Sequence, residues 1–205
     1  TRYISVTGVQ TCAIPISVGL VHYKNEDELI RALASIHSFE SHSDRFEFII
    51  VNNEIPAKLE KVEDFLQQQR STFKIIRNTE NNIARARNLI LQHANHPLVY
   101  FTDPDCELQS PVISGLVNKL NEAGVGTVAV GGGNVAVGNS VLLQTLRLMS
   151  KNILGNFNST QMKKAVVRAE RVHHLSTSNV LYRKDLALQI GGFANSRESV
   201  GEDLE

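Results

Sequence analysis

Cysteine is scarce in this chain of 205 residues: Cys12 and Cys106 are the only two. They form neither a metal-ligand spacing nor a paired framework. That excludes a disulfide-stapled secreted scaffold and a cysteine-rich metal module, and makes a reducing compartment the expectation. An excess of charge of one sign is also missing. Lys plus Arg and Asp plus Glu number 21 each, a balance that argues against a general nucleic-acid coat or a dedicated membrane-surface protein. No apolar run approaches the roughly 18 residues that a membrane span requires, and no segment has the layout of a signal peptide. What is present is an apolar fraction of 42%, enough to fill the core of one domain of ordinary size.

The N-terminal segment stands apart. Val6 to Ile16 matches the translation of a short-read sequencing adapter except at Ile14, where the adapter encodes leucine. Residues 1–16 are therefore set aside as a non-native, adapter-derived segment, and residues 17–205 are read as a single domain. The alternative is a natural segment whose Ile14 and Ile16 extend the strand that follows. At the other end the chain stops in mid-motif at Glu205, so the domain is expected to be truncated at its C-terminus.

From Ile16 onward, strand-like and helix-like patterns alternate. Ile16–Val21, Phe46–Val51, Phe73–Ile76 and Leu98–Thr102 are short apolar runs. Between them, Glu26–Ser38, Ala57–Gln69 and Asn82–Ala94 carry apolar residues at helical spacing, the last with Asn81 or Asn82 as its N-cap. This order predicts an α/β fold: a mostly parallel, Rossmann-like sheet with helices on both faces. Continuous apolar strands fit a sheet covered on both sides. The second half is less regular. Pro111–Glu122 predicts a helix, Val125–Val130 a strand, Ser140–Asn152 a helix, Val172–Arg183 a polar strand and Asp185–Ile190 a short helix ended by Gly191-Gly192. Gly131-Gly132-Gly133-Asn134 lacks the Lys-Ser/Thr of a P-loop and the spacing of a dinucleotide fingerprint, so it is read as a flexible turn rather than a phosphate cradle.

In such sheets ligands sit beyond the carboxyl ends of the strands. Three polar clusters fall there: His22-Tyr23-Lys24-Asn25, Asn52-Asn53-Glu54 and Asp103-Pro104-Asp105. The last is the most informative. Two carboxylates at i and i+2 project to one side of an extended backbone, and Pro104 biases Asp103 toward that conformation. Paired oxygen donors suit a hard divalent cation, Mg²⁺ or Mn²⁺, beside the phosphates of a nucleotide. A turn that merely begins with Asp and Pro is the alternative.

Five segments, in order, resemble family 2 glycosyltransferases of GT-A fold. They are Ile16–Ile36, Ala84-Arg85-Ala86-Arg87-Asn88, Asp103-Pro104-Asp105, Ser178–Arg183 with Gly191-Gly192-Phe193, and Gly201-Glu202-Asp203. The resemblance implies an inverting transfer of sugar from a nucleotide-diphospho-sugar to an acceptor hydroxyl on a glycan or lipid-linked acceptor. It implies a metal ion held by Asp105 and Asp103, with Asp103 alternatively on the ribose. Asp203 becomes the candidate general base, with Glu202 filling that role or orienting the acceptor. Tyr23, Asn25, Asn52, Asn53, Arg87 and Asp103 become candidate nucleotide contacts. The implied setting is cell-envelope polysaccharide synthesis in the cytoplasm, at the inner face of the membrane, with membrane attachment only through segments beyond this chain and no nucleic-acid partner.

The bland readings stand beside these. Glu202-Asp203 also suits a helix N-terminus. Arg85 and Arg87 are two apart on a helix, so they cannot share a face, and either could lie on a solvated side. Tyr23 could be a core tyrosine. His173-His174 and the basic stretch Lys163, Lys164, Arg168 and Arg171 are read as structural or solvated. Asn52-Asn53 stand where relatives carry base-reading Asp residues, so the choice of base is open. A nucleotidyltransferase would carry a glycine-rich basic loop after the first strand, which is lacking. A non-catalytic nucleotide- or sugar-binding module is the remaining alternative.

Overall fold

The computed structural model describes residues 14–40, 45–54, 58–134 and 175–194. The predicted helix over 140–152, the basic stretch, His173-His174 and Glu202-Asp203 lie outside them. In chain order the elements are β1 (Ile16–His22), α1 (Glu26–Phe39), β2 (Phe46–Asn52), α2 (Glu60–Gln68), β3 (Thr72–Arg77), α3 (Ile83–His93), β4 (Leu98–Thr102), α4 (Val112–Glu122), β5 (Ala129–Gly131), β6 (Asn179–Arg183) and α5 (Lys184–Gln189). The sheet order is β3-β2-β1-β4-β6-β5. The first four strands are mutually parallel, and β6 runs antiparallel to both β4 and β5.

Alternation along the strands sorts side chains into two cores. Val18, Leu20, Phe48, Ile50 and Tyr100 pack with residues of α1, α2 and α4 on one face. Ile49, Val51, Val99, Phe101 and Val180 pack with α3 and Ala187 of α5 on the other. Gly19 of β1 sets the distance of α3, because a Cβ there would collide with the side chain of Ile90. Helix ends are satisfied locally or from afar. Asn25 caps α1 by accepting from Glu28 N (3.3 Å), and Asn82 caps α3 by accepting from Arg85 N (2.9 Å). The buried Glu40 carboxylate accepts from Ile113 N and from Ser114 Oγ at the start of α4, each at 2.7 Å. Arg183 donates to Leu120 O (3.1 Å) at the end of that helix.

Three elements are clearly shorter than predicted. The expected strand Val125–Val130 is reduced to β5, because Gly124 takes φ +91° and Thr127 N returns to Gly124 O, making a turn that leaves Val125 90% exposed. Of the expected strand Val172–Arg183, residues 172–174 lie outside the described residues, and the described part is strand only from Asn179, preceded by a turn in which Asn179 N donates to Ser176 O. Helix α2 starts at Glu60 rather than Ala57.

The end of the sheet away from the strand C-termini is locked by Glu47, only 1% exposed. Its carboxylate accepts from Ser17 Oγ (2.8 Å), Asn95 N (2.9 Å) and Asn95 Nδ2 (2.7 Å), and pairs with Lys74 Nζ at 2.8 Å. Burial by itself would raise the Glu47 carboxyl, but the Lys74 ammonium and the Asn95 and Ser17 donors outweigh it and hold it below its ordinary 4.5. Above pH 4.5 this contribution to stability is present in full. It is lost as pH falls through the lower value of the folded state. Melting curves from pH 7 to pH 3 should therefore show acid destabilisation in the parent chain that is much reduced in Glu47→Gln. At pH 7 that variant should be less stable by about 1–2 kcal/mol, the scale of weakening charge-assisted hydrogen bonds to one carboxylate, because Lys74 is more than a third exposed and keeps water and His93 O as partners.

Candidate active site

Strand order reverses between β1 and β4: β2 and β3 lie to one side, β4 and its neighbours to the other. The crevice beyond the carboxyl ends of those two strands is where an open α/β sheet takes its ligands. Residues 22–25 leave β1 there, and residues 103–106 leave β4. Because β6 is antiparallel, with Asn179 opposite Thr102, residues 176–179 reach the same edge. Gly131 is opposite Val180, so residues 131–134 reach it too.

Asp103 and Asp105 sit in a tight turn closed by Cys106 N donating to Asp103 O at 3.0 Å. One ligand atom from each of Asp103, Asp105 and Cys106 lies within 4.8 Å of the others. Burial first, then the two carboxylates, push the Cys106 thiol up to about 12. It is protonated at neutral pH and lies 3.6 Å from Asp105 Oδ1 as a weak donor. The available ligands are thus two hard carboxylates beside a thiol, a set that fits Mg²⁺ or Mn²⁺.

The two arginines of α3 diverge. Arg85 is half-exposed and pairs with Glu80 at 3.2 Å. Arg87 is only 6% exposed, and its guanidinium stands 4.0 Å from Asp103 Oδ1, itself 38% exposed. Asn88, next on the helix, holds the backbone of Phe193 through two hydrogen bonds.

On the β1 and β2 side, the predicted nucleotide contacts are partly used by the fold. Asn25 is the cap of α1. Asn52 is buried, and its Oδ1 accepts from Glu54 N at 2.9 Å. Asn53 Oδ1 accepts from Asn78 Nδ2 at 2.8 Å, and Asn78 N donates to Asn52 O at 2.9 Å. Asn78, absent from the sequence-based candidates, therefore ties the ends of β2 and β3 together. Tyr23 is not a core tyrosine: its ring is 52% exposed, with Lys24 Nζ 4.7 Å from the centroid. Lys24 takes φ +73°, so the chain turns sharply as it leaves β1. A cleft of about 290 Å³, lined by Asn52, Lys58, Leu59, Glu63, Ile75 and Arg77 among others, opens beside the ends of β2 and β3, away from the carboxylates.

The glycine run is tied to the start of β6. Gly132 N donates to Asn179 O (2.9 Å), Asn179 Nδ2 donates to Gly133 O (3.3 Å), and a Cβ at Gly132 would strike the Asn179 amide. Tyr100 OH donates to Asn179 Oδ1 at 3.2 Å. Asn134 Nδ2 bonds Ser178 Oγ, which in turn lies 2.6 Å from Ser176 Oγ. Sequence reading singled out Gly131–Asn134 and Ser178–Arg183 separately but did not bring them together.

The model of the family described as Glycosyl transferase family 2 matches residues 17–191. The chain belongs to glycosyltransferase family 2. Solved structures show the same fold for this family 2 domain. It is similar to the mannosyltransferase PcManGT from Pyrobaculum calidifontis in complex with GDP-Man and Mn²⁺ (TM-score 0.66, 16% identity, 93% of this chain and 50% of that one). It is also similar to TarS residues 1–349 from S. aureus (0.64, 17%, 93% and 53%), and to GalNAc-T7 with UDP, GalNAc and Mn²⁺ (0.66, 15%, 94% and 39%). The chain spans about half the length of the first two solved chains and less of the third. No curated protein matches it by sequence. These likenesses establish the GT-A fold that the sequence motifs led us to expect. Among the described residues, no helix is long and apolar enough to cross a membrane.

His22 supplies a pH-dependent element at the rim of this family 2 domain. It is buried, with Nε2 3.9 Å from Glu54 Oε2. Burial lowers its pKa from 6.5, and the Glu54 carboxylate only partly opposes this. Above pH 6.5 the imidazole is neutral whether the chain is folded or not. Below that pH the unfolded chain takes up a proton that the folded chain resists, so stability falls as pH drops from 6.5 toward the folded value. In melts between pH 7.5 and 5, the parent chain should lose stability relative to His22→Asn. Parallel curves would contradict this account of His22.

Proposed function

We infer that the domain is an inverting, metal-assisted sugar transferase. It takes a nucleotide-diphospho-sugar and places the sugar on an acceptor hydroxyl of a glycan or lipid-linked acceptor. The observation that carries this reading is the meeting of Asp103, Asp105 and the buried Arg87 at the sheet's reversal point. Membership of family 2, and the GDP-Man and UDP complexes of its structural relatives, support the donor class.

The chemistry follows from the residues. A divalent cation, when bound, neutralises charge that builds on the leaving diphosphate. Asp105 would hold that cation, with Asp103 as a second ligand or as the acceptor for the ribose hydroxyls. Arg87 presents a fixed guanidinium to the diphosphate, a donor array matched to phosphate oxygens. Tyr23, exposed at the mouth of the crevice, offers a stacking face to the base. Asn53, with Asn52 before it, presents amide chemistry that both donates and accepts, compatible with uracil or guanine edges. Asp203 removes the proton from the attacking hydroxyl, and Glu202 orients the acceptor or takes that role. The sugar carbon passes through a cation-like state, as in glycoside hydrolysis. The cellular role that fits is cell-envelope polysaccharide synthesis at the cytoplasmic face of the membrane.

Calorimetry on the 205-residue chain tests the donor site. UDP or GDP should bind in the presence of Mn²⁺, and chelation of the metal should remove most of the affinity. Asp105→Ala should weaken binding by about 10- to 100-fold, the scale on which residues supporting a metal site change its affinity. Release of nucleoside diphosphate from nucleotide sugars reports turnover. Binding that ignores both Mn²⁺ and Asp105→Ala would defeat the assignment.

A further inference from the structure

The turn that follows α5 is fastened to the helix that carries Arg87. Gly191 and Gly192 take φ +102° and +71°, and Gly192 N returns to Ala187 O at 2.8 Å, ending α5 as a left-handed cap does. This delivers Phe193 onto α3. Asn88 Nδ2 donates to Phe193 O (2.8 Å), and Asn88 Oδ1 accepts from Phe193 N (2.9 Å). A side chain at Gly192 would run into that same Asn88 oxygen. The Phe193 ring, buried, packs edge-on against Phe101 (5.4 Å between centroids) and Tyr182 (5.7 Å). Its centroid also lies 5.6 Å from the guanidinium carbon of Arg87. Arg87 is thus bounded by an aromatic ring and by the Asp103 carboxylate at 4.0 Å.

The geometry points to Phe193 as a positioning residue: clamped by Asn88, its ring fixes the Arg87 guanidinium beside Asp103 for the donor diphosphate. This rests on the reading of the donor site given above. A desolvated cation is attracted to an aromatic face, and burial removes the water that would otherwise compete for it. Arginine has several rotatable bonds, so an unsupported guanidinium would spend part of its time turned from the phosphates. The ring removes that freedom before the ligand arrives. Arg87 and Asn88 are neighbours on α3, so one helix turn both presents the cation and grips the segment that steadies it. The Gly-Gly-Phe turn would then act on the donor side of the site.

Two readouts on the intact chain test this. The first needs no ligand. The Arg87 Nε–H resonance, assigned by its loss in Arg87→Lys, should be displaced by the Phe193 ring current. It should move to an ordinary arginine position in Phe193→Leu and shift the same way in Asn88→Ala. The second is UDP or GDP affinity with Mn²⁺. Phe193→Leu, which keeps most of the apolar bulk, should weaken it about tenfold, in line with the loss of a desolvated cation–aromatic contact. In an Arg87→Met background the same change should add nothing, because the ring acts through the arginine. A purely structural Phe193 would lower the melting temperature and add its effect independently of Arg87. Additive losses, or a Phe193→Leu protein with unchanged resonance and affinity, would overturn the proposal. If the parent chain binds no nucleotide, the donor-site reading itself falls and this role falls with it. If the parent binds and Phe193→Leu binds equally, only the positioning role fails.

Discussion

A cation hidden from water beside an acid is the constraint around which this domain is arranged. Arg87 is nearly sealed from solvent, yet it faces the partly open Asp103 carboxylate at 4.0 Å. Burying a guanidinium is expensive unless something replaces its hydration. The Asp103 charge and the Phe193 ring supply part of that replacement. The rest of the fold brings α3 close enough for this to happen. Gly19 lets Ile90 seat against the sheet, and Asn82 starts the helix at the right place by capping it.

The same end of the sheet carries a second kind of order. Asn53, Asn78 and Asn82 form a chain of amide hydrogen bonds across the ends of β2, β3 and α3. Tyr100, Asn179 and Gly133 form another across β4, β6 and the exit of β5. Both fix backbone at the rim of the crevice without filling it. Rigid rims favour binding because less freedom is lost when a ligand arrives. At the opposite end, Glu47 ties β1, β2, β3 and the approach to β4 through one carboxylate. The sheet is pinned at its base and shaped at its ligand-facing edge.

Much of this was legible in the chain. Four apolar runs and the helices between them were enough for the α/β class, and Leu98–Thr102 was placed to the residue because Pro97 and Asp103 bracket it. The Asp-Pro-Asp segment disclosed its position through its strand, and the two-residue spacing of Arg85 and Arg87 required that only one turn inward. The direction of β6 was not legible, since a buried strand reads alike in either sense. Nor was the tightness of Gly131–Gly133, whose reason is an asparagine far along the chain. The ring over Arg87 depends on a clamp between residues 105 positions apart, a separation that no local pattern encodes. Asn25 and Asn52 were chosen for their chemistry, and the structure shows that chemistry partly spent on a helix cap and a turn.

Anomalous scattering at the manganese edge, from crystals of this chain grown with UDP or GDP and Mn²⁺, tests the central claim most directly. The account predicts a single strong peak against Asp105 and Asp103, with the diphosphate lying between it and the Arg87 guanidinium. A metal peak remote from those carboxylates, or a diphosphate with no contact to Arg87, would contradict it.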